Sequence, residues 1–228
     1  VVADIGLGGL IGAAVGARLA HVLLNLDYFG ARADEIARLS AGGLDWHGGL
    51  VGGLIGLALA ARWRRVSLPL LLDELAPALP LLALAGWYGC WSAACGYGAE
   101  VDTLARYPAF AVSEMRDIYG IVAPRYNTQV FGITVSLAAL GIALVLTRFR
   151  AAAGMRFWLV LIALSVGMFG IGFLRGDASP RVGGLRLDQW LDLGIVILCL
   201  INIVARRFSF ASASERTSAI TQGDVHAP

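Results

Sequence analysis

The residue best placed to do chemistry is His47, in the run Gly42-Gly43-Leu44-Asp45-Trp46-His47-Gly48-Gly49-Leu50-Val51-Gly52-Gly53. An imidazole can take or give a proton near neutral pH, and this one stands at the mouth of a glycine-lined apolar segment. Gly48, Gly52 and Gly56 recur every four residues, and so do Gly49 and Gly53. On a helix that spacing makes a smooth groove in which a second backbone, or a lipid chain, can lie close. A helical glycine costs about 1 kcal/mol relative to alanine, so a cluster of them marks a need for close approach. The plainer role for His47 is that of an interfacial histidine that caps a helix or bonds a loop.

Guanidinium groups are the other candidates. Arg18 lies in an otherwise apolar stretch, where an arginine costs about 3 kcal/mol or more unless it is paired or snorkels to the interface. Its functional role would be to clamp the phosphate of a lipid headgroup. Arg175 ends a later apolar stretch, either as a second such cation or as an anchor paired with Asp177. Gln129, after Pro124-Arg125-Tyr126-Asn127-Thr128, is a fixed hydrogen-bonding group or part of a helix start. Tyr97-Gly98 closes a glycine-rich turn.

No Ser-His-Asp set, phosphate loop, dinucleotide fingerprint, haem motif or zinc signature is present, and no cofactor or metal is expected. The cysteines Cys90, Cys95 and Cys199 make no disulfide framework. A Cys90–Cys95 bridge is open to the chain without being indicated. All 18 basic residues are arginine, which excludes a lysine nucleophile, and the net charge of +2 gives no reason to expect a nucleic-acid partner.

The elements that must position these groups are membrane helices. Hydrophobic residues make up 58% of the 228-residue chain and charged ones 15%, with a mean hydropathy of +0.73, outside the range of soluble domains. Several apolar runs reach the roughly 20 residues that a bilayer crossing takes, and the strand alternation of a barrel is missing. The fold class is an all-α polytopic membrane protein with six spans: about 5–26, 46–63, one from about 75 with Pro77 and Pro80 in its first turns, 128–147, 157–174 and 189–205. The opening Val, with an apolar run almost at once, predicts a further segment of chain before the first span. Residues 1–207 form the helical domain. Its outer loop, 99–127, mixes charges with Tyr107, Phe110, Tyr119, Ile121 and Tyr126, and is expected to fold onto the membrane surface. Residues 208–228, serine-rich at first, read as a flexible tail.

Arginine bias sets the orientation. The connections Arg62–Arg65 and Arg148–Arg156 and the tail after Arg206 are basic and face the cytoplasm, so the C-terminus is cytoplasmic. His47, the 95–127 segment and Arg175 then share the outer face.

From about Gly12 to Leu193 these residues resemble the prolipoprotein diacylglyceryl transferase family. Gly16-Ala17-Arg18-Leu19 is similar to its early Gly-Ala-Arg element, and the 42–53 run to its histidine-glycine-glycine motif. Gly89-Cys90 with Cys95-Gly96-Tyr97-Gly98 resembles its signature turn. Pro124 to Gln129 resembles the approach to a later span, and Phe173 to Asp177 with Leu185 to Trp190 its end. The resemblance implies a multi-pass enzyme of the bacterial inner membrane with seven spans and a cytoplasmic C-terminus, a seventh, N-terminal span preceding the six read here. Such an enzyme moves a diacylglyceryl group from phosphatidylglycerol to the lipobox cysteine of a prolipoprotein signal peptide. His47 would be the catalytic base, and Arg18, Gly48, Gly49, Tyr97, Gly98, Tyr126, Gln129 and Arg175 would bind substrate.

The chain departs from the family at four places. An arginine of the signature turn is Trp87. An arginine and a glutamate of the fifth of these spans are Met168 and Gly172. The glutamate that ends the family's Gln-Leu-Tyr-Glu is Gly132. Loss of one charge-stabilising donor can lower a rate ~100-fold or more. Two readings therefore stand: a working transferase, or a catalytically inactive subunit or lipid-binding scaffold that keeps the fold within a larger respiratory or photosynthetic membrane complex.

Overall fold

Glycine spacing decides the first pairing of helices. In the computed structural model, which describes residues 2–39, 42–149 and 152–223, the chain divides into two compact units, Val1–Leu72 and Asp73–Pro228. The first unit holds α1 (Val2–Leu24), the short α2 (Leu26–Gly30) and α3 (Trp46–Arg64). α1 and α3 meet backbone to backbone. A Cβ built on Gly52 would lie 2.2 Å from the Gly12 carbonyl oxygen, and one on Gly48 would lie 2.5 Å from that of Gly16. The groove read from the sequence is therefore filled by a second helix of the same chain rather than by a lipid chain. At the far end of the pair, Arg64 meets Asp4 at 2.5 Å.

α4 (Leu68–Glu74) follows, a short helix absent from the sequence reading, and the chain breaks before α5 (Ala78–Ala93). Pro77 is the N-cap of α5 and Pro80 lies in its first turn, where a missing N–H leaves no intrahelical bond unmade. α6 (Thr128–Leu146), α7 (Arg156–Gly172) and α8 (Leu187–Gly223) complete the helices. In the second unit α6 packs on both α5 and α7, and α7 on α8. The core is carried by α7, through Phe157, Val160, Leu161 and Leu164, with Ala139 and Ala143 of α6 also buried. Asp73 caps α7 from a distance: its carboxylate accepts from the backbone N–H groups of Gly154 and Phe157, two donors that no helical carbonyl could reach.

The molecule is mostly helical, but not wholly. Within 99–127, β1 (Val112–Arg116) pairs antiparallel with β2 (Val122–Tyr126). Beyond α7, β3 (Arg181–Val182) pairs with β4 (Leu185–Arg186). An Asp-Ile-Tyr-Gly turn between alternating residues makes the first hairpin, a signal hidden under the charge of that stretch.

Among the described residues three helices are long and apolar enough to cross a membrane, Ala3–Leu24, Thr128–Leu146 and Leu187–Arg207, with a fourth if α4 and α5 form one broken span. α7 is apolar but shorter. The five glycines of α3, with His47, Arg62 and Arg64, dilute its apolar character. α8 runs to Gly223, and residues 224–228 of the expected tail, like Arg150 of the expected basic connection, lie outside the described residues.

The glycine seam makes a specific prediction. Gly52→Ala forces a methyl into the Gly12 carbonyl and should destabilise the protein by about 1–3 kcal/mol. Gly49→Ala, whose Cβ would sit 3.4 Å from that of Ala17, should leave the thermal unfolding temperature in detergent unchanged or slightly raised.

Candidate functional site

In the first unit the polar groups gather at the start of α3. Asp45 is its N-cap, and its carboxylate accepts from the Gly48 N–H at 2.7 Å. Its own N–H donates to the Ala17 carbonyl of α1 at 3.0 Å. His47 is the second helical residue, so the cap that starts the helix also fixes where the imidazole leaves it.

Arg18, 7% exposed, does something the sequence did not foretell. Its Nε donates to the Ile36 carbonyl at 2.8 Å, Nη1 to those of Gly42 and Gly43 at 2.6 and 3.1 Å, and Nη2 to those of Glu35 and Arg38 at 2.6 and 3.4 Å. A guanidinium has five N–H donors, and here each has a backbone acceptor. Its cation also lies over the Phe29 ring, 5.2 Å from the centroid. The loop entering α3 wraps around this one side chain. Gly43, at φ +74°, admits the arrangement, because a Cβ there would meet His21 at 2.5 Å and Arg18 at 2.7 Å. Gly48 and Gly49 both face α1.

In the second unit three segments interlock at the end of the helices where α5 stops and α6 starts. The turn 95–99 is pinned from α6: Thr128 Oγ1 donates to the Gly96 carbonyl at 2.6 Å and Gln129 Nε2 to that of Cys95 at 3.0 Å. Both side chains are fully buried. The same turn pairs with the segment after α7. The Gly176 N–H donates to the Tyr97 carbonyl at 2.9 Å and the Ala99 N–H to that of Leu174 at 2.7 Å. Gly98 has no room for a side chain, since a Cβ would lie 2.1 Å from the Tyr126 carbonyl oxygen. Cys90 and Cys95 are joined in a disulfide that closes the turn onto the end of α5. Tyr97, Gly98, Tyr126, Gln129 and Arg175 are thus brought together. His47, Arg18, Gly48 and Gly49 belong to the other unit.

The charges beside the turn are paired. Arg175 makes a two-pronged contact with Asp177 and reaches Asp188 at 3.2 Å. Burial works against its charge, but the hydrogen bonds it donates to Asp177 and the charges of Asp177, Asp188 and Asp192 outweigh it and hold the pKa above the ordinary arginine value. Arg186, 2% exposed, closes the network: it donates to Asp188 at 3.0 Å and to the Asp177 carbonyl at 2.8 Å. Arg125 lies over the Tyr97 ring, 5.1 Å from its centroid, and pairs with Asp117 at 3.1 Å. Burial, then the charges of Asp117 and Asp177, push the Tyr97 phenol up. Arg186 and Asp117 were missed from sequence; the repeat of Arg175-Gly176-Asp177 in Arg186-Leu187-Asp188 was the available signal.

Three of the positions that depart from the family pattern touch one another. The Trp87 Nε1–H donates to the Met168 sulfur at 3.3 Å, and a Cβ on Gly132 would fall 2.1 Å from the Trp87 ring. The fourth, Gly172, is crossed by Gln189, whose amide donates to the Phe169 carbonyl at 3.0 Å. Among the described residues no cluster of His, Cys, Asp and Glu could hold a metal ion.

Comparison with known proteins agrees with the earlier resemblance. The family model described as prolipoprotein diacylglyceryl transferase matches residues 1–205. The phosphatidylglycerol–prolipoprotein diacylglyceryl transferase of Clostridium novyi (strain NT) is 34% identical over 190 residues, covering 82% of this chain and 72% of that protein. Its counterpart in Bacillus cereus (strain B4264) is 31% identical over 195 residues, 84% and 71% of the two chains. Transferase 1 of Streptomyces coelicolor is 30% identical over 210 residues, 89% of this chain but 59% of its own length.

The Arg18 geometry predicts the outcome of a conservative change. Lysine has three donors on one nitrogen and cannot reach five carbonyls. Arg18→Lys should therefore lower stability by about 1.5–3 kcal/mol and speed amide exchange at residues 35–39, 42 and 43. Unchanged exchange there would show that the loop does not depend on the guanidinium.

Proposed function

The chain belongs to the prolipoprotein diacylglyceryl transferase family, and we propose that it transfers a diacylglyceryl group from phosphatidylglycerol to the cysteine thiol of a prolipoprotein signal peptide. The thiol loses its proton to His47, and the sulfur attacks the glyceryl carbon that carries the phosphate. A thioether forms, the carbon–oxygen bond to phosphate breaks, and glycerol phosphate leaves with the electron pair. A thiolate attacks far better than a thiol, which gives the imidazole its task. Tyr97, Gly98, Tyr126, Gln129 and Arg175 bind the lipid headgroup, while Arg18 positions the loop before His47, with Gly48 and Gly49 seating α3 on α1.

In this reading six spans cross the bacterial inner membrane. Residues 1–207 form the membrane domain, with a cytoplasmic tail at 208–228, and the polar groups face outward. The observation that carries it is the interlock of residues 95–99, 128–129 and 174–177. It is a polar structure built on the ends of apolar helices, the level at which a phospholipid presents its headgroup rather than its acyl chains.

A second reading has one specific observation in its favour. The Trp87 ring, the Met168 sulfur and the bare Gly132 fit together as an apolar plug, at positions where the family resemblance implies charge. A chain with that plug would serve as a lipid-binding subunit beside other membrane proteins.

One assay separates the two. Phosphatidylglycerol labelled in its diacylglyceryl group is presented in vesicles with a lipobox peptide, with an active family member as control. The transferase reading expects peptide labelling that falls roughly 100-fold or more in His47→Ala, the lower range for a lost general base. No labelling by the wild-type chain, under conditions where the control works, would favour the subunit reading.

A further inference from the structure

The turn of the first hairpin is apolar and outward. Ile118, Tyr119, Ile121 and Val122 are 57%, 75%, 58% and 57% exposed. Exposure alone says little, but the N–H groups of Asp117, Tyr119, Gly120 and Ile121 behind these side chains are all taken within the turn. The Asp117 N–H donates to the Ile121 carbonyl and the Gly120 N–H to that of Asp117, both at 3.0 Å. The N–H groups of Tyr119 and Ile121 both donate to Asp117 Oδ1 at 2.9 Å. The second oxygen of that carboxylate, itself 5% exposed, takes Arg125 from behind. Water would satisfy those N–H groups without any such arrangement. A hydrocarbon boundary offers no hydrogen bonds, and backbone that enters it must be satisfied internally. A protein partner that adds a strand needs open N–H groups as well as carbonyls, and this turn withholds four of its N–H groups.

We propose that the β1–β2 turn is a lipid-facing anchor that beds the outer hairpin in the headgroup layer of the bilayer that α6 crosses. β2 runs into α6 through the single residue Asn127, whose side-chain amide donates to the carbonyls of Ala109 and Phe110 at 3.1 and 3.0 Å. Phe110, 70% exposed, is thereby strapped to the head of the helix. The five residues of β2 reach about 16 Å at about 3.3 Å each, more than the roughly 5–7 Å depth of a headgroup layer. The hairpin therefore lies along the surface, with Phe110 bedded near α6 and Tyr119 at the other end. Tyrosine and isoleucine suit that depth, and the exposed Arg116 at the base of the turn reaches lipid phosphates. The inference rests on α6 crossing the bilayer and not on transfer chemistry.

The test is a depth measurement on the full chain. Ile118→Cys, Tyr119→Cys and Asp102→Cys, in a Cys199→Ala background, are each labelled with a nitroxide in nanodiscs of phosphatidylglycerol and phosphatidylcholine. Labels at 118 and 119 should collide several-fold more with oxygen, which partitions into lipid, than with a water-soluble nickel chelate. The label at 102, on an exposed position, should show the reverse. Equal nickel access at 118, 119 and 102 would overturn the proposal by placing the turn in water. Shielding from both reagents would overturn it by showing a protein cover, such as a second copy. A chain that transfers no diacylglycerol still gives one of these results, so failure here is distinct from failure of the transferase reading.

Discussion

A backbone that leaves a helix at the edge of an apolar phase exposes carbonyls and N–H groups with no helical partner, and each one left bare at that depth costs several kcal/mol. The chain meets this constraint with a small number of long polar side chains, each serving several backbone groups. Arg18 takes five carbonyls of the loop before α3. Thr128 and Gln129 take two from the turn after α5. Asn127 takes two from the segment before β1, and Asp73 and Asp117 do the converse for N–H groups. Each of these side chains is buried. The segments that carry the candidate chemistry are irregular, and they hold one conformation because of these donors and acceptors.

Sterics does the rest. α1 and α3 approach so closely that carbonyl oxygens sit where a Cβ would be, and the start of α3 is thereby fixed against the end of α1. The Asp45 cap and the Arg18 cluster belong to the same corner, so the seam, the cap and the loop position His47 together. In the second unit Gly98 and Gly176 play a similar part, letting the turn, the end of β2 and the segment after α7 come within backbone contact.

Much of this was legible from residue types. The glycine spacing foretold a close helix contact, the lone arginine in an apolar stretch marked a position under special demand, and Pro77 marked a helix start. The partners were not legible, for a physical reason. Arg18 binds carbonyls, which every residue carries, so no side-chain pattern points to its acceptors. The first hairpin was hidden because its strands carry Glu114, Arg116 and Arg125 on a chain otherwise read by hydropathy, and only the alternation of buried and exposed positions reveals it. Trp87, Met168 and Gly132 each stood out as a departure, but that they fill one another's space depends on helix packing, which spacing within a single segment cannot give.

The charge pairing beside the turn sets a condition on any transfer chemistry. A departing phosphate is best stabilised by cations already aimed at it, yet Arg175 faces two carboxylates and Arg186 is enclosed by the same pair. An anion arriving there meets Asp177 and Asp188 along with the guanidinium groups, and it gains attraction only if one arginine exchanges a carboxylate for it. Breaking a half-buried pair leaves a charge short of its partner, so the exchange is favourable only when the phosphate takes both freed donors at once. A doubly charged leaving glycerol phosphate meets that requirement better than the singly charged diester that enters. In the proposed reaction, an arginine that trades its carboxylate for the phosphate as charge gathers on the departing oxygen would hold the transition state more tightly than the entering diester, the direction in which differential binding speeds a reaction.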